Sequence, residues 1–243
     1  MAARYYGRDL ALVHHSGFGA HADACAPGVV ARLEPVRRRG GLVLELGCGS
    51  GRLTRHLVDA GLRVIATDAS PAMLDLARAF VPGAEETRLL VLPDDPLPEA
   101  DAVVSVGHVL NYLPDEAAVE RALVAVATAL RPGGVLALDL CDLEWGRLRR
   151  DAPTLAQLDE AWAIITRFSL PSSDRFVRHI TTFVAQDDGT WRRRDERHDN
   201  VLVETARVPA VLAAHGVDAV VLPAFGAETL PPGLVAVVGS RSP

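Results

Sequence analysis

The residues best placed to do chemistry are a group of glycines that follows an apolar run at 42–46. An apolar run that breaks into closely spaced glycines is typical of a buried strand, a tight loop and then a helix, expected here over 50–60. Glycine permits positive φ and lets a ligand lie on the backbone, while amides at a helix N-terminus favour polar or anionic groups. The glycines are Gly47, Gly49 and Gly51.

A second apolar run, at 63–67, ends in Asp68. A carboxylate at the end of the second strand of a βαβ unit can accept hydrogen bonds from both hydroxyls of a ribose. Together with the glycine loop, this acid predicts a site for a cofactor of the adenosine type.

The glycine spacing separates the possible cofactors. A dinucleotide fingerprint, G-x-G-x-x-G, needs its third glycine at position 52, which is Arg52. A phosphate-binding G-x-x-x-x-G-K-[ST] loop is excluded because the chain contains no lysine. The stretch ELGCGSG at 45–51, together with DASPAML at 68–74, resembles the class I S-adenosylmethionine (SAM) dependent methyltransferases.

This resemblance implies an α/β fold, a Rossmann-like doubly wound and mostly parallel seven-stranded sheet, with SAM as the cofactor. The glycine loop then contacts the methionyl part and Asp68 the ribose, whereas 92–95 departs from the family's usual polar contact to adenine. A nicotinamide or flavin site, or a glycine turn that binds nothing, are the alternatives. The expected cofactor-binding residues are Glu45, Gly47, Cys48, Gly49, Gly51, Asp68, Ala69, Leu92, Asp94 and Val106.

Strands and helices are predicted to alternate up to position 142. Further strands are expected at 89–92, 101–106 and 135–140, with helices at 71–80 and 115–130. Alternation of this kind predicts a mostly parallel sheet with helices on both faces and a ligand at the carboxyl ends of the central strands.

The pattern changes beyond position 142. Three extended segments, at 162–170, 176–185 and 191–203, predict an antiparallel β insertion that covers the site, or else a surface hairpin that merely extends the sheet. A helix at 205–215 and strands at 217–222 and 234–240 follow. We therefore expect a single domain over 1–243, made of an N-terminal helical entry segment (1–40), a cofactor-binding core (41–142), the β insertion (143–203) and a closing helix with two strands (204–243).

The residues that bind the methyl acceptor are harder to predict than those that bind the cofactor. Methyl transfer from a sulfonium needs orientation and desolvation, and it needs a base only when the acceptor arrives protonated. The predicted catalytic residues are His108, Glu196 and His198. The predicted substrate-binding residues are Tyr6, His14, His108, Tyr112 and Arg178, for each of which ordinary packing is the alternative.

Composition limits the partners. The net charge of −6 offers no basic field for nucleic acid, no apolar run approaches a membrane span, and the N-terminal residues lack a secretory apolar core. Three scattered cysteines form no C-x-x-C pair, which argues against a disulfide frame or a zinc site. The metal-dependent catechol methyltransferases have Asp at the end of the fourth strand, where this chain has Ser105, so we expect no metal. The sequence predicts a cytoplasmic monomer or homodimer that methylates O or N of a small-molecule acceptor. Another SAM-dependent reaction on a natural product, or a non-catalytic SAM-binding module, remain alternatives.

Overall fold

The computed structural model describes residues 5–243, so the first four residues of the predicted N-terminal segment lie outside the described residues. Eight α-helices occur in this range, with two short 3-10 helices at Val109–Tyr112 and Thr205–Arg207. The α-helices are α1 Arg8–Gly17, α2 Ala20–Arg32, α3 Glu34–Arg38, α4 Arg52–Asp59, α5 Pro71–Phe80, α6 Glu116–Ala129, α7 Leu143–Leu148 and α8 Val208–Ala213.

Eleven strands form two separate sheets within the described chain. They are β1 Leu42–Leu46, β2 Arg63–Asp68, β3 Glu86–Leu89, β4 Ala100–Ser105, β5 Leu130–Cys141, β6 Leu155–Leu158, β7 Trp162–Ser172, β8 Arg175–Ala185, β9 Trp191–Val201, β10 Val217–Leu222 and β11 Leu234–Arg241. The larger sheet has seven strands in the order β10-β11-β5-β4-β1-β2-β3. All its pairs are parallel except those of β11, which is antiparallel to both β5 and β10. The predicted doubly wound sheet is confirmed.

Alternate residues of the central strand β4 pack into two hydrophobic cores on opposite faces of this sheet. Val103 packs with α6 and α8, whereas Ala102 and Val104 pack with α2, α3 and α4. Each fully buried Val or Leu contributes about 1.5–3 kcal/mol relative to an exposed one. The helices therefore cover both faces and leave the carboxyl ends of the strands for the site.

The second sheet is antiparallel, in the order β6-β7-β8-β9. The β8–β9 turn closes as predicted, with the Gln186 amide donating to the Thr190 carbonyl at 2.8 Å and Gly189 at φ +80°. One end of this sheet packs on α1, where Trp162 and Ile180 bury Leu10 and Val13. The insertion is thus attached to the N-terminal segment.

Two local predictions differ from the structure, and two further elements were not predicted. The third strand is Glu86–Leu89, not 89–92, because the Val91 amide bonds the Asp95 carboxylate at 2.8 Å in a turn. The predicted helix at 205–215 is a 3-10 turn followed by α8, since Pro209 is tolerated only in a first helical turn. The helix α7 and the exposed edge strand β6 were not predicted.

Candidate functional site

The glycine loop between β1 and α4 is held in left-handed backbone conformations. Gly47, Gly49 and Gly51 have φ of +65°, +54° and +88°. A side chain at Gly47 would collide with Val109, but one at Gly49 would meet no protein atom within 4 Å. The backbone at Gly49 is therefore open to a ligand, which fits the predicted cofactor.

Asp68 ends β2 beside this loop. Its Oδ2 accepts from the Gly49 amide at 2.9 Å and its Oδ1 from the Ser70 amide at 2.8 Å. Burial raises the pKa of Asp68, while the amides of Ser70 and Gly49 oppose that shift. Each oxygen has two acceptor positions, so the carboxylate is fixed in place and can still accept from a ribose diol.

The remaining cofactor predictions lie along the same edge of the sheet or just after it. Cys48 is buried in the loop, and Ala69 and Val106 follow β2 and β4. Leu92 and Asp94 lie in the turn after β3, the strand next to β2. These positions match a cofactor lying across the carboxyl ends of β1, β2 and β4, and their contacts stay predictions.

Glu45 occupies a different environment from the loop that follows it. Its side chain is 2% exposed, and Oε2 accepts from the Thr54 hydroxyl at 2.7 Å. Burial raises the pKa of Glu45 to about 7, although the Thr54 hydrogen bond opposes the shift. The observed contact ties β1 to α4, so a direct contact of Glu45 with the cofactor stays a prediction.

A buried carboxylate that sequence reasoning missed organises the loop after β4. Asp139, on β5, accepts from the amides of Gly107 at 2.9 Å and His108 at 2.6 Å, and its Oδ2 lies 3.0 Å from Nε2 of His21. Burial lowers the pKa of His21, but the hydrogen bond and charge of Asp139 outweigh it and raise it to about 10. The available signal was a single acid in the otherwise apolar run 135–140.

Five of the predicted catalytic and substrate-binding residues form one hydrogen-bonded chain. The hydroxyls of Tyr6 and Tyr112 lie 2.9 Å apart, and the Tyr112 hydroxyl lies 3.3 Å from Nδ1 of His198. Nε2 of His198 lies 3.0 Å from Oε2 of Glu196, and Nη2 of Arg178 donates to the Tyr112 hydroxyl. Four parts of the chain meet here: the N-terminal segment, the 3-10 helix after β4, β8 and β9.

The aromatic rings of the same group pack on one another. The His108 ring is stacked on Tyr112, with centroids 5.7 Å apart and planes 11° apart. The Tyr6 ring meets His14 edge to face at 5.2 Å. Tyr6 and His108 are also the two non-glycine residues of the described chain with positive φ, at 55° and 49°. Backbone strain of this kind clusters at functional sites.

The three histidines of this group share one electrostatic environment. Burial is the largest cause in each case, and it lowers the pKa of His14 to about 4 and that of His108 well below the ordinary value. The pKa of His198 is lowered too, even though its hydrogen bond to Glu196 opposes the shift. The charge of Arg178 contributes to all three shifts. The histidines are therefore neutral near pH 7, so they can accept a proton but are weak bases.

The contacts of Glu196 position the N-terminal segment. Its Oε2 accepts from the Tyr6 amide at 2.8 Å and its Oε1 from the Gly7 amide at 2.9 Å. With His198 as a third partner, the carboxylate holds the N-terminal segment against β9. Its predicted catalytic role stays a prediction.

Two classes of feature are missing from the part of the chain that the structure describes. No group of three or more His, Cys, Asp or Glu side chains is arranged to hold a metal ion. No helix in the described range is long and apolar enough to cross a membrane.

Comparison with known proteins gives a consistent result. A family model described as a methyltransferase domain matches residues 43–134, which include the glycine loop, Asp68 and the loop after β4. An uncharacterized methyltransferase of Mycobacterium tuberculosis is 38% identical over 141 residues, 54% of this chain and 53% of that protein. The aligned part thus spans about half the length of this curated relative.

Solved structures resemble the whole chain. The sugar N-methyltransferase of a Streptoalloteichus species superposes with a TM-score of 0.78 at 24% identity, covering 100% of this chain and 98% of that one. A SAM-bound amino pentose methyltransferase from Micromonospora echinaspora superposes with a TM-score of 0.72 at 21% identity, covering 98% of both chains. At these identities the similarity concerns the fold, including the β insertion.

Proposed function

We propose that this chain, of which residues 43–134 match a methyltransferase domain, is a class I SAM-dependent methyltransferase that transfers a methyl group from SAM to an oxygen or nitrogen atom of a small-molecule acceptor. The observation that carries the proposal is the pairing of an open Gly49 backbone with an Asp68 carboxylate, 2.9 Å from the Gly49 amide. These two features fit the methionyl and ribose parts of one ligand.

SAM supplies an electrophilic methyl group on a sulfonium centre, so the protein's task is chiefly to orient the acceptor and exclude water. The N-terminal segment and the β insertion provide an enclosure, joined through Glu196 and the Tyr6 amide. Tyr112 and His198 form a chain that can move a proton away from the acceptor, because neutral His198 accepts at Nδ1. His108, stacked on Tyr112, is the second neutral base in reach.

The small-molecule acceptor rests on support of two kinds. The site is built from side chains of the insertion and the N-terminal segment, which contact each other directly. Among the relatives, one is a ubiquinone biosynthesis O-methyltransferase and one a sugar N-methyltransferase, so both acceptor atoms occur among similar proteins. We further propose a cytoplasmic monomer or homodimer that does not act on nucleic acid or membranes. The four-part division of the single domain at 40, 142 and 203 is part of the same proposal.

The test is turnover of SAM to S-adenosylhomocysteine with a panel of hydroxyl- and amine-bearing small molecules, read by mass spectrometry of the methylated product. We expect SAM binding by calorimetry and product from at least one acceptor class. We expect Asp68→Ala to weaken SAM binding. The matched control is Asp75→Ala, which removes an exposed acid on α5 and should leave SAM binding unchanged. Binding of SAM with no turnover of any acceptor would identify a binding module, and no SAM binding at all would overturn the proposal.

A further inference from the structure

Arg178 carries a positive charge that no carboxylate of the described residues pairs with. Its guanidinium has two polar partners, the Tyr112 hydroxyl and, at 3.3 Å, the Asn200 side-chain oxygen, both of them neutral. Its Nε is buried and has no hydrogen-bond partner within the described residues. No described carboxylate lies within 4.0 Å of it, in contrast to Arg192, which is paired with Asp9. Burying a charge in this way is costly unless an opposite charge joins it.

The nearby acids are already used by other groups. Glu196 accepts from two backbone amides and contacts His198. Asp139 accepts from the loop after β4 and pairs with His21. Neither carboxylate pairs with Arg178, so among the described residues this guanidinium has no acidic partner.

The surroundings of Arg178 fit an oxyanion better than a cation. The guanidinium lies over the Tyr112 ring, 5.5 Å from its centroid, with the hydroxyl of Tyr6 next to that of Tyr112. His108 adds a second unpartnered nitrogen, its buried Nδ1. An ammonium group would be repelled by the arginine, whereas a carboxylate or phosphate could take two hydrogen bonds from it.

We propose that the methyl acceptor carries an anionic oxygen group, a carboxylate or a phosphate ester, and that Arg178 binds this group. This inference rests on the proposed methyl transfer. The anion is a handle that fixes the acceptor against the insertion, while the methylated atom lies elsewhere on the molecule. The competing explanation is that Arg178 only holds the Tyr112 ring in place.

The experiment titrates acetate and inorganic phosphate, in separate arms, into the full chain with and without S-adenosylhomocysteine, followed by calorimetry in a chloride-free buffer. We expect one of the two anions to bind with 1:1 stoichiometry; acetate binding indicates a carboxylate acceptor and phosphate binding a phosphate ester. Arg178→Gln should weaken that binding at least ten-fold, and Arg178→Lys should weaken it less.

Arg193→Gln is the matched control, because Arg193 lies on the adjacent strand β9 with 61% of its side chain exposed. It should bind the anion as the unmodified chain does. Retained S-adenosylhomocysteine affinity in Arg178→Gln shows that this variant is folded. Absence of binding by both anions, or equal binding by Arg178→Gln, overturns the inference. If the unmodified chain does not bind S-adenosylhomocysteine, the proposed function is refuted. The titrations of acetate and phosphate in the absence of S-adenosylhomocysteine would still test the inference about Arg178.

Discussion

The Glu196 carboxylate accepts a hydrogen bond from the Tyr6 backbone amide at 2.8 Å, across 190 positions of sequence. This contact joins the β insertion to the N-terminal segment. Because the Ser70 hydroxyl also donates to the Tyr6 carbonyl at 2.7 Å, the same residue is connected to the helix that follows Asp68. The acceptor enclosure and the cofactor edge of the sheet thus meet at Tyr6.

Replacing Glu196 with Gln should loosen the N-terminal segment. The Tyr6 and Gly7 amides contact different oxygens of Glu196, and Gln replaces one of these oxygens with an NH2 donor. One of the two amides therefore loses its acceptor, and hydrogen bonds to a charged group contribute about 1.5–3 kcal/mol each. We expect faster amide hydrogen exchange in the N-terminal peptide. Asp195→Asn, whose carboxylate serves the Thr181 hydroxyl, is the control and should leave that peptide unchanged. Equal exchange in the two variants would contradict the positioning role of Glu196.

Replacing Asp68 with Ala should weaken SAM binding. The change removes two charge-assisted hydrogen bonds to the ribose, with an expected loss of roughly 2–4 kcal/mol in binding free energy. Calorimetry measures the affinity directly, and the exposed Asp75→Ala variant should bind SAM normally. If the Asp68 variant is folded and keeps its SAM affinity, the ribose assignment is wrong.

Replacing Gly49 with Ala separates backbone strain from contact with a ligand. Gly49 and Gly61 both have positive φ, +54° and +82°, and both face open space, so alanine strains the backbone similarly at each. Only Gly49 lies against the predicted cofactor. We expect similar losses of melting temperature in the two variants, but loss of SAM binding in Gly49→Ala alone. Retained SAM binding there would show that the loop is only a turn.

The His21–Asp139 pair should make stability depend on pH. The pKa of His21 rises from 6.5 to about 10 in the folded protein, so its contribution is complete below about pH 6.5 and is lost as the pH rises through 10. Thermal melting of the unmodified chain and of His21→Gln should therefore differ most at pH 6.5 and converge towards pH 10. A constant difference across this range would show that the histidine does not titrate as described.

Replacing His108 with Gln tests the predicted base. If His108 takes a proton from the acceptor, methyl transfer should fall by about 10²–10⁴-fold while SAM affinity is retained. Its pKa is lowered well below 6.5 by burial and then by Arg178, so it stays neutral across the physiological range. The methyl-transfer rate of the unmodified enzyme should therefore be constant from about pH 6.5 to 8. It should decline only at lower pH, where His108 becomes protonated. Full activity of the Gln variant would show that His108 is not the base and serves only in packing.

Local sequence patterns were enough to predict the cofactor half of the site. The glycine loop needs positive φ at every second position, and Asp68 ends a strand whose neighbour is fixed by βα alternation, so both features follow from short-range rules. Helix α5 was also predicted to the residue, because Ser70 is its N-cap and Pro71 its first residue. The third strand was misplaced because a side-chain contact to Asp95 ended it, which periodicity does not reveal.

The sequence by itself determined the fold class, the position of the predicted cofactor loop and the types of residue available to the methyl acceptor. Only the tertiary structure decided which of those residues meet and with what charge. Glu196 positions the N-terminal segment because strand β9 brings it to the Tyr6 amide. Asp139 holds the loop after β4 because β5 pairs with β4, and α2 adds His21 as a further partner. The lack of a carboxylate partner for Arg178 among the described residues is likewise a property of its neighbours. Contacts between residues so far apart in sequence follow from packing and register, which a single sequence does not encode locally.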